Sequence, residues 1–170
     1  MAMNNSVFLD TNFLIAWHEI DHQNHMQAIE YFKYCLENNI TMKVSTIALA
    51  EYSVHGNFAT ELPMQNFQII SFLPSHSQQS GEFTKCVLSN RNQYQQLVRK
   101  AIPNDVKLVT QANIDKSIKQ FVTSDINSIS PISNILATNG KSINFTFYDF
   151  TQFEAPLKQE QLELDSQITI

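Results

Sequence analysis

Residues 7–12 read Val7-Phe8-Leu9-Asp10-Thr11-Asn12, three apolar residues that run into a carboxylate and then a Thr-Asn pair. An apolar run without polar alternation is the pattern of a strand covered on both faces. Asp10 then marks where that strand leaves the core for a polar crevice. Aspartate at a strand end is also an ordinary turn former. Its meaning therefore depends on what the rest of the chain brings to it.

Outward from this stretch, strands and helices alternate. Phe13 to Trp17 begins a helix, with Asn12 available as its N-cap, and His25 to Leu36 carries Ile29, Phe32 and Leu36 on one stripe. A turn at Asn38-Asn39 leads to a short strand, Ile40 to Val44. Ser45 or Thr46 caps a helix running to about His55, which Gly56 stops. Phe67 to Phe72 reads as a third strand and Ser75 to Arg91 as a polar surface helix. Asn104 caps a helix from Asp105 to about Lys116, and Ile118 to Thr123 is a fourth strand ending at Ser124-Asp125. Ser130 to Ala137 forms a last helix, Asn139-Gly140 a turn, and Ile143 to Phe150 a late aromatic strand. This alternation predicts a three-layer α/β/α sandwich with a central, mostly parallel sheet. Such sheets bind ligands beyond the carboxyl ends of their strands.

At 170 residues, 43% hydrophobic and 16% charged, the chain has the composition of one globular domain, read as 1–156 with an acidic tail or arm at 157–170. No apolar run approaches the length of a membrane span, and no secretory signal is visible, so a cytoplasmic protein is expected. Cys35 and Cys86 stand alone and read as buried thiols. The net charge of −5 argues against a general nucleic-acid coat. That average hides a balance of +5 between Lys85 and Lys119 and of −4 from Asp149 onward.

Four acids lie where they can meet. Asp10 and Asp125 end predicted strands. Glu51 falls on a helical stripe with Ile47, Ala50 and Val54, and Asp105 on one with Leu108, Val109 and Ala112. Taken singly, Asp105 serves the helix dipole and Asp125 a turn, while Glu51 has little to do in the middle of an apolar helix. Taken together, two carboxylates at 4 Å repel by roughly 4 kcal/mol at an effective dielectric of about 20. A divalent cation removes that repulsion, and an all-oxygen donor set suits Mg²⁺ or Mn²⁺.

The ordered set FLDTN at 8–12, STIALAE at 45–51, PNDVKLVTQA at 103–112 and FVTSD at 121–125 resembles the PIN-domain family. Its small single-domain members include bacterial toxin ribonucleases of the VapC type, held inactive by an antitoxin. The resemblance implies a PIN-like sandwich and a Mg²⁺- or Mn²⁺-dependent endoribonuclease. It places the acidic quartet, catalytic and metal-binding, on Asp10, Glu51, Asp105 and Asp125, with Thr11, Asn12 and Thr123 supporting it. Ser124 stands where the family commonly has a basic residue. Implied partners are an RNA substrate and an antitoxin protein; a homodimer is a further assembly this reading admits. Arg91, Arg99, Lys100 and Lys107 are candidates for RNA phosphates, as are the other bases up to Lys119.

Other motifs carry blander meanings. His18, His22 and His25 are spaced four and three apart, but Asp21 breaks the helix between them and surface or capping roles are expected. Trp17, Phe145, Phe147, Tyr148 and Phe150 read as an interface before base-stacking. Two competing functions stand beside the nuclease: an inert PIN-like scaffold binding a protein or RNA partner, and a phosphohydrolase with Asp10 as nucleophile. The latter class usually wants a second Asp where this chain has Asn12.

Overall fold

The computed structural model describes residues 5–156. The tail read at 157–170 lies outside them. Among the described residues, five parallel strands form one sheet: β1 (Ser6–Leu9), β2 (Thr41–Ser45), β3 (Phe67–Ile70), β4 (Ile118–Thr123) and β5 (Thr146–Asp149), in the order β3-β2-β1-β4-β5. The central strand β1 is buried along its whole length, whereas the edge strands β3 and β5 are only partly covered. That difference explains why β1 reads as an unbroken apolar run.

Among the described residues, seven α-helices connect the strands: α1 (Thr11–His18), α2 (His25–Glu37), α3 (Thr46–Tyr52), α4 (Phe58–Glu61), α5 (Pro74–Asn90), α6 (Ile102–Ile114) and α7 (Ile126–Thr138). The chain steps from β1 outward to β2 and β3, then returns past β1 to β4 and β5. Right-handed crossovers taken in opposite directions place α1 to α4 on one face and α5 to α7 on the other. Contacts of α1 with α2 and α3, and of α5 with α6 and α7, follow that division. The fold is thus the expected α/β/α sandwich. The topological switch falls between β1 and β4, whose outgoing helices leave to opposite faces.

Aromatic rings fill both layers. Phe8 packs on Phe121 at 5.3 Å, Phe121 on Phe145 at 5.8 Å, and Phe13 on Phe150 at 5.0 Å. Phe145 and Phe150 are therefore core residues, correcting their reading as an interface, while Phe147 and Tyr148 are half-buried. Phe145 and Phe150 are buried, and Tyr148 stacks on Tyr31 of α2. The helix over Pro74–Asn90 is also no mere surface helix, since it buries His76, Ser80, Phe83 and Val87 at spacings of four and three.

Lys43, nearly buried in β2, ion-pairs with Asp115 just past α6 and donates to Ser117 at 2.8 Å. A buried ammonium needs such compensation. The turns behave as their residues demand. Asn39 (φ 53°) and Gly140 (φ 71°) take the left-handed region before β2 and after α7.

Candidate active site

Asp10 stands one residue past β1, where Asp10 N–H still donates to Val122 O at 3.1 Å in the ladder with β4. Its carboxylate is the N-cap of α1, with Oδ1 accepting from Thr11 N–H at 2.7 Å. This corrects the placement of the cap on Asn12, which lies inside the first turn and acts as a clamp. Asn12 Nδ2 donates to Asp10 Oδ2 at 3.0 Å and to Thr123 Oγ1 at 2.8 Å, and its Oδ1 accepts from Ser124 N–H. Thr123, buried at the end of β4, donates its hydroxyl to Asp10 Oδ2 at 2.9 Å. The ends of β1 and β4 are stitched together by this net, and the Asp10 carboxylate is fixed from three directions.

Glu51 sits near the end of α3, half-buried, with both oxygens engaged. Oε2 accepts from Thr11 Oγ1 at 2.6 Å and Oε1 from Asn104 Nδ2 at 2.9 Å. The stripe on which it was read does not exist. The helix ends at Tyr52, Ala50 and Val54 are exposed, and the buried face is Ala48, Leu49 and Tyr52. Glu51 reaches the crevice from the edge of that face. The short helix is apolar all round, so periodicity could not choose its buried side.

Asp105 lies in the first turn of α6, whose later residues Leu108, Val109 and Ala112 are buried. Gln111 Nε2 donates to Ile70 O at 3.4 Å and its Oε1 accepts from Ser45 Oγ, pinning that point of α6 at the carboxyl ends of β2 and β3. At about 1.5 Å per residue, Asp105 rises about 9 Å beyond that pin, above the crevice. The helix begins at Ile102, so Asn104 is not its cap. It bridges Glu51 to Lys107, whose Nζ donates to Asn104 Oδ1 at 3.2 Å. Sequence reasoning missed this role; its only signal is a polar residue between a helix-opening proline and an acid.

Asp125 caps α7 from an exposed position without a side-chain capping bond. That helix starts four residues earlier than expected, with Pro131 in its second turn. Among the described residues, no hydrogen bond or ion pair reaches the carboxylate of Asp105 or Asp125.

Asp10 and Asp105 lie within electrostatic range of each other and of both Glu51 and Asp125. Burial pushes the Asp10 carboxyl up from 3.8 to about 6 against the lowering hydrogen bonds from Thr123 and Thr11, with Glu51 and Asp125 adding repulsion. Burial likewise raises Asp105 to about 7, helped by the charges of Asp10, Glu51 and Asp125. Among the described residues, however, no three His, Cys, Asp or Glu side chains are grouped closely enough to enclose an ion by themselves. The arrangement is an open acidic crevice rather than a closed cage.

The basic stretch divides in space. Arg91, Arg99 and Lys100 belong to the connection between α5 and α6 that leads to Asp105, and Lys107 is tied to Asn104. Lys116 and Lys119 instead precede or open β4, at the far end of the sheet from the acids. With about 3.3 Å per strand residue they are excluded from the crevice. The three histidines show the expected local roles: His22 Nδ1 accepts from Asn24 N–H, and His25 Nδ1 meets Ala16 O at 2.9 Å. His18 packs its ring against Tyr52.

No family model matches the chain, and no curated protein matches it in sequence. Among solved structures, it is similar to a chain of VapBC2 from Rickettsia felis, solved bound to a DNA fragment from their promoter. That alignment has TM-score 0.56 and 18% identity over 85% of this chain and 98% of the other. DNA-bound VapBC from Salmonella typhimurium aligns with TM-score 0.49 and 15% identity, covering 86% of this chain and 98% of the other. The likeness to the first is one of fold, and the fold of this chain is PIN-like, similar to that of VapC. Among the described residues, no helix is long and apolar enough to cross a membrane.

Proposed function

We propose that this chain is an endoribonuclease that hydrolyses RNA phosphodiester bonds with Mg²⁺ or Mn²⁺. The observation that carries the proposal is the acidic crevice at the switch between β1 and β4. There a triply hydrogen-bonded Asp10 shares one electrostatic site with Asp105 and Asp125, two carboxylates that nothing described neutralises.

The donor set fits a hard cation, because every side chain on offer is a carboxylate oxygen. An ion that keeps several waters needs only one or two carboxylates and the substrate phosphate, which suits an open crevice. Asp10 with Asp105 or Asp125 would hold it directly, and the remaining carboxylates, Glu51 among them, would act through water. When bound, the ion would polarise the scissile phosphate and make water a competent nucleophile.

The chain's own residues do the positioning. Asn12 and Thr123 orient Asp10, while Thr11 and Asn104 hold Glu51 in one rotamer. Arg91, Arg99, Lys100 and Lys107 supply positive charge for RNA phosphates on the side from which α6 approaches. As in the VapBC complexes to which its fold is similar, a protein antitoxin is the proposed partner and the toxin of such a pair the proposed role.

The second reading is a catalytically inert scaffold, favoured by the lack of any ready-made cage among the described residues. One experiment separates them. Purified protein and its Asp10→Asn variant are incubated with mixed RNA and Mn²⁺, with and without EDTA. The ribonuclease cleaves only as wild type with metal; equal cleavage by both proteins, or none by either, rejects it.

A further inference from the structure

A groove of about 570 Å³ runs beside the acidic crevice, between α5 and the first turns of α6. Phe72, Lys85, Leu88, Pro103 and Lys107 line it. Groove and crevice lie on either side of the first turns of α6: Pro103 and Lys107 line the groove, Asp105 between them turns the other way, and Lys107 donates to the Asn104 amide that holds Glu51. No acid is among the lining residues, in a chain whose net charge is −5.

Gly81, also on the groove, lies in the middle of α5, where glycine weakens a helix relative to alanine. A Cβ at that position would meet nothing within 4 Å. Packing therefore does not demand the glycine, and the space above it is the groove itself.

We infer that this groove seats the single-stranded RNA flanking the scissile phosphate, an inference that rests on the ribonuclease reading of the crevice. Lys85 and Lys107 meet backbone phosphates, and the half-buried Phe72 ring offers a face to a base. Two lysines with no acid among the lining residues suit a polyanionic strand, and the flat face of Phe72 suits a base stacked on it. A strand laid across the first turn of α6 reaches both groove and crevice, over the roughly 10 Å width of a helix.

The test uses the full chain and a short fluorescent single-stranded RNA, with binding read by anisotropy in EDTA. Gly81→Trp fills the groove and is expected to weaken binding about tenfold or more, the scale of a lost stacked base and displaced phosphates. Lys85→Ala combined with Lys107→Gln covers the case in which the tryptophan variant does not fold. The double variant is expected to reduce the slope of log affinity against log salt by about 1.4. Hydrolysis of bis(p-nitrophenyl) phosphate with Mn²⁺ reads the crevice alone and is expected to be unchanged in Gly81→Trp.

RNA binding by a folded Gly81→Trp, or by the double variant, that equals wild type overturns the groove assignment. Gly81-dependent capture of a Glu-rich peptide in place of RNA also overturns it, making the groove a protein-docking site. Gly81-dependent RNA binding by a wild type that hydrolyses nothing rejects the ribonuclease reading and leaves the groove an RNA site.

Discussion

Asp105→Asn isolates the charge stored in the crevice, because no described hydrogen bond to the carboxylate is lost with it. Asp10→Asn is a mixed perturbation, since its new amide nitrogen would face the donors Asn12 Nδ2 and Thr123 Oγ1. In the folded protein Asp105 holds its proton to about 7, against an ordinary 3.8. A carboxyl raised in the folded state makes the fold bind the extra proton. Its stabilising contribution is complete below pH 4 and is lost as pH rises through 7. At pH 8 this charge costs about 4 kcal/mol at 1.36 kcal/mol per pH unit. A half-buried amide keeps about 1–2 kcal/mol of the desolvation cost, which leaves a gain of about 2–3 kcal/mol for the variant. For a chain of this size that is a rise in Tm of about 5–10 °C. Thermal melts in EDTA should show this rise at pH 8 and almost none at pH 5. Added Mn²⁺ should stabilise wild type far more than the variant. A variant that melts no higher at pH 8, or that gains as much at pH 5, refutes the picture of a crowded acidic site.

Three further outcomes are expected. Asn104→Ala frees Glu51 Oε1 and should lower Tm by about 2–4 °C, for about 1 kcal/mol, while reducing RNA cleavage more than RNA binding. Asp115→Ala leaves the buried Lys43 ammonium without its counter-charge and should cost about 2 kcal/mol by denaturant unfolding. The double variant Lys43→Met/Asp115→Ala should recover much of it. Burial pushes the Cys35 thiol up to about 12, so iodoacetamide at pH 7.5 should label it only after denaturant is added, a result read by mass spectrometry.

The sheet was legible because burial on both sides writes itself into composition. Val7-Phe8-Leu9 and Phe121-Val122 leave no polar face, and their ends at Asp10 and Asp125 follow from where a parallel sheet opens. The side chains that organise the crevice were less legible. Asn12 and Asn104 read as helix caps because cap and clamp use the same amide chemistry, and only three-dimensional neighbours distinguish them. Glu51 was singled out on a helical stripe that the short α3 does not possess, so its position followed from the motif and not from periodicity. Charge runs misled differently. Neighbours in sequence such as Lys107 and Lys119 lie at opposite ends of the sheet, since the end of α6 and the entry to β4 intervene. Aromatic content in the last strand said how much apolar surface would be buried, not whether this chain or a partner would bury it.

The proposed ribonuclease requires that Asp10, with Asp105 or Asp125, bind a divalent metal. Crystals grown without metal and soaked in Mn²⁺ would give an anomalous difference map that answers it directly. One strong peak is expected in the crevice, within coordination distance of Asp10 and of Asp105 or Asp125, and it should vanish in Asp10→Asn crystals. A map without a peak there, or a peak that persists when Asp10 is replaced, would contradict it.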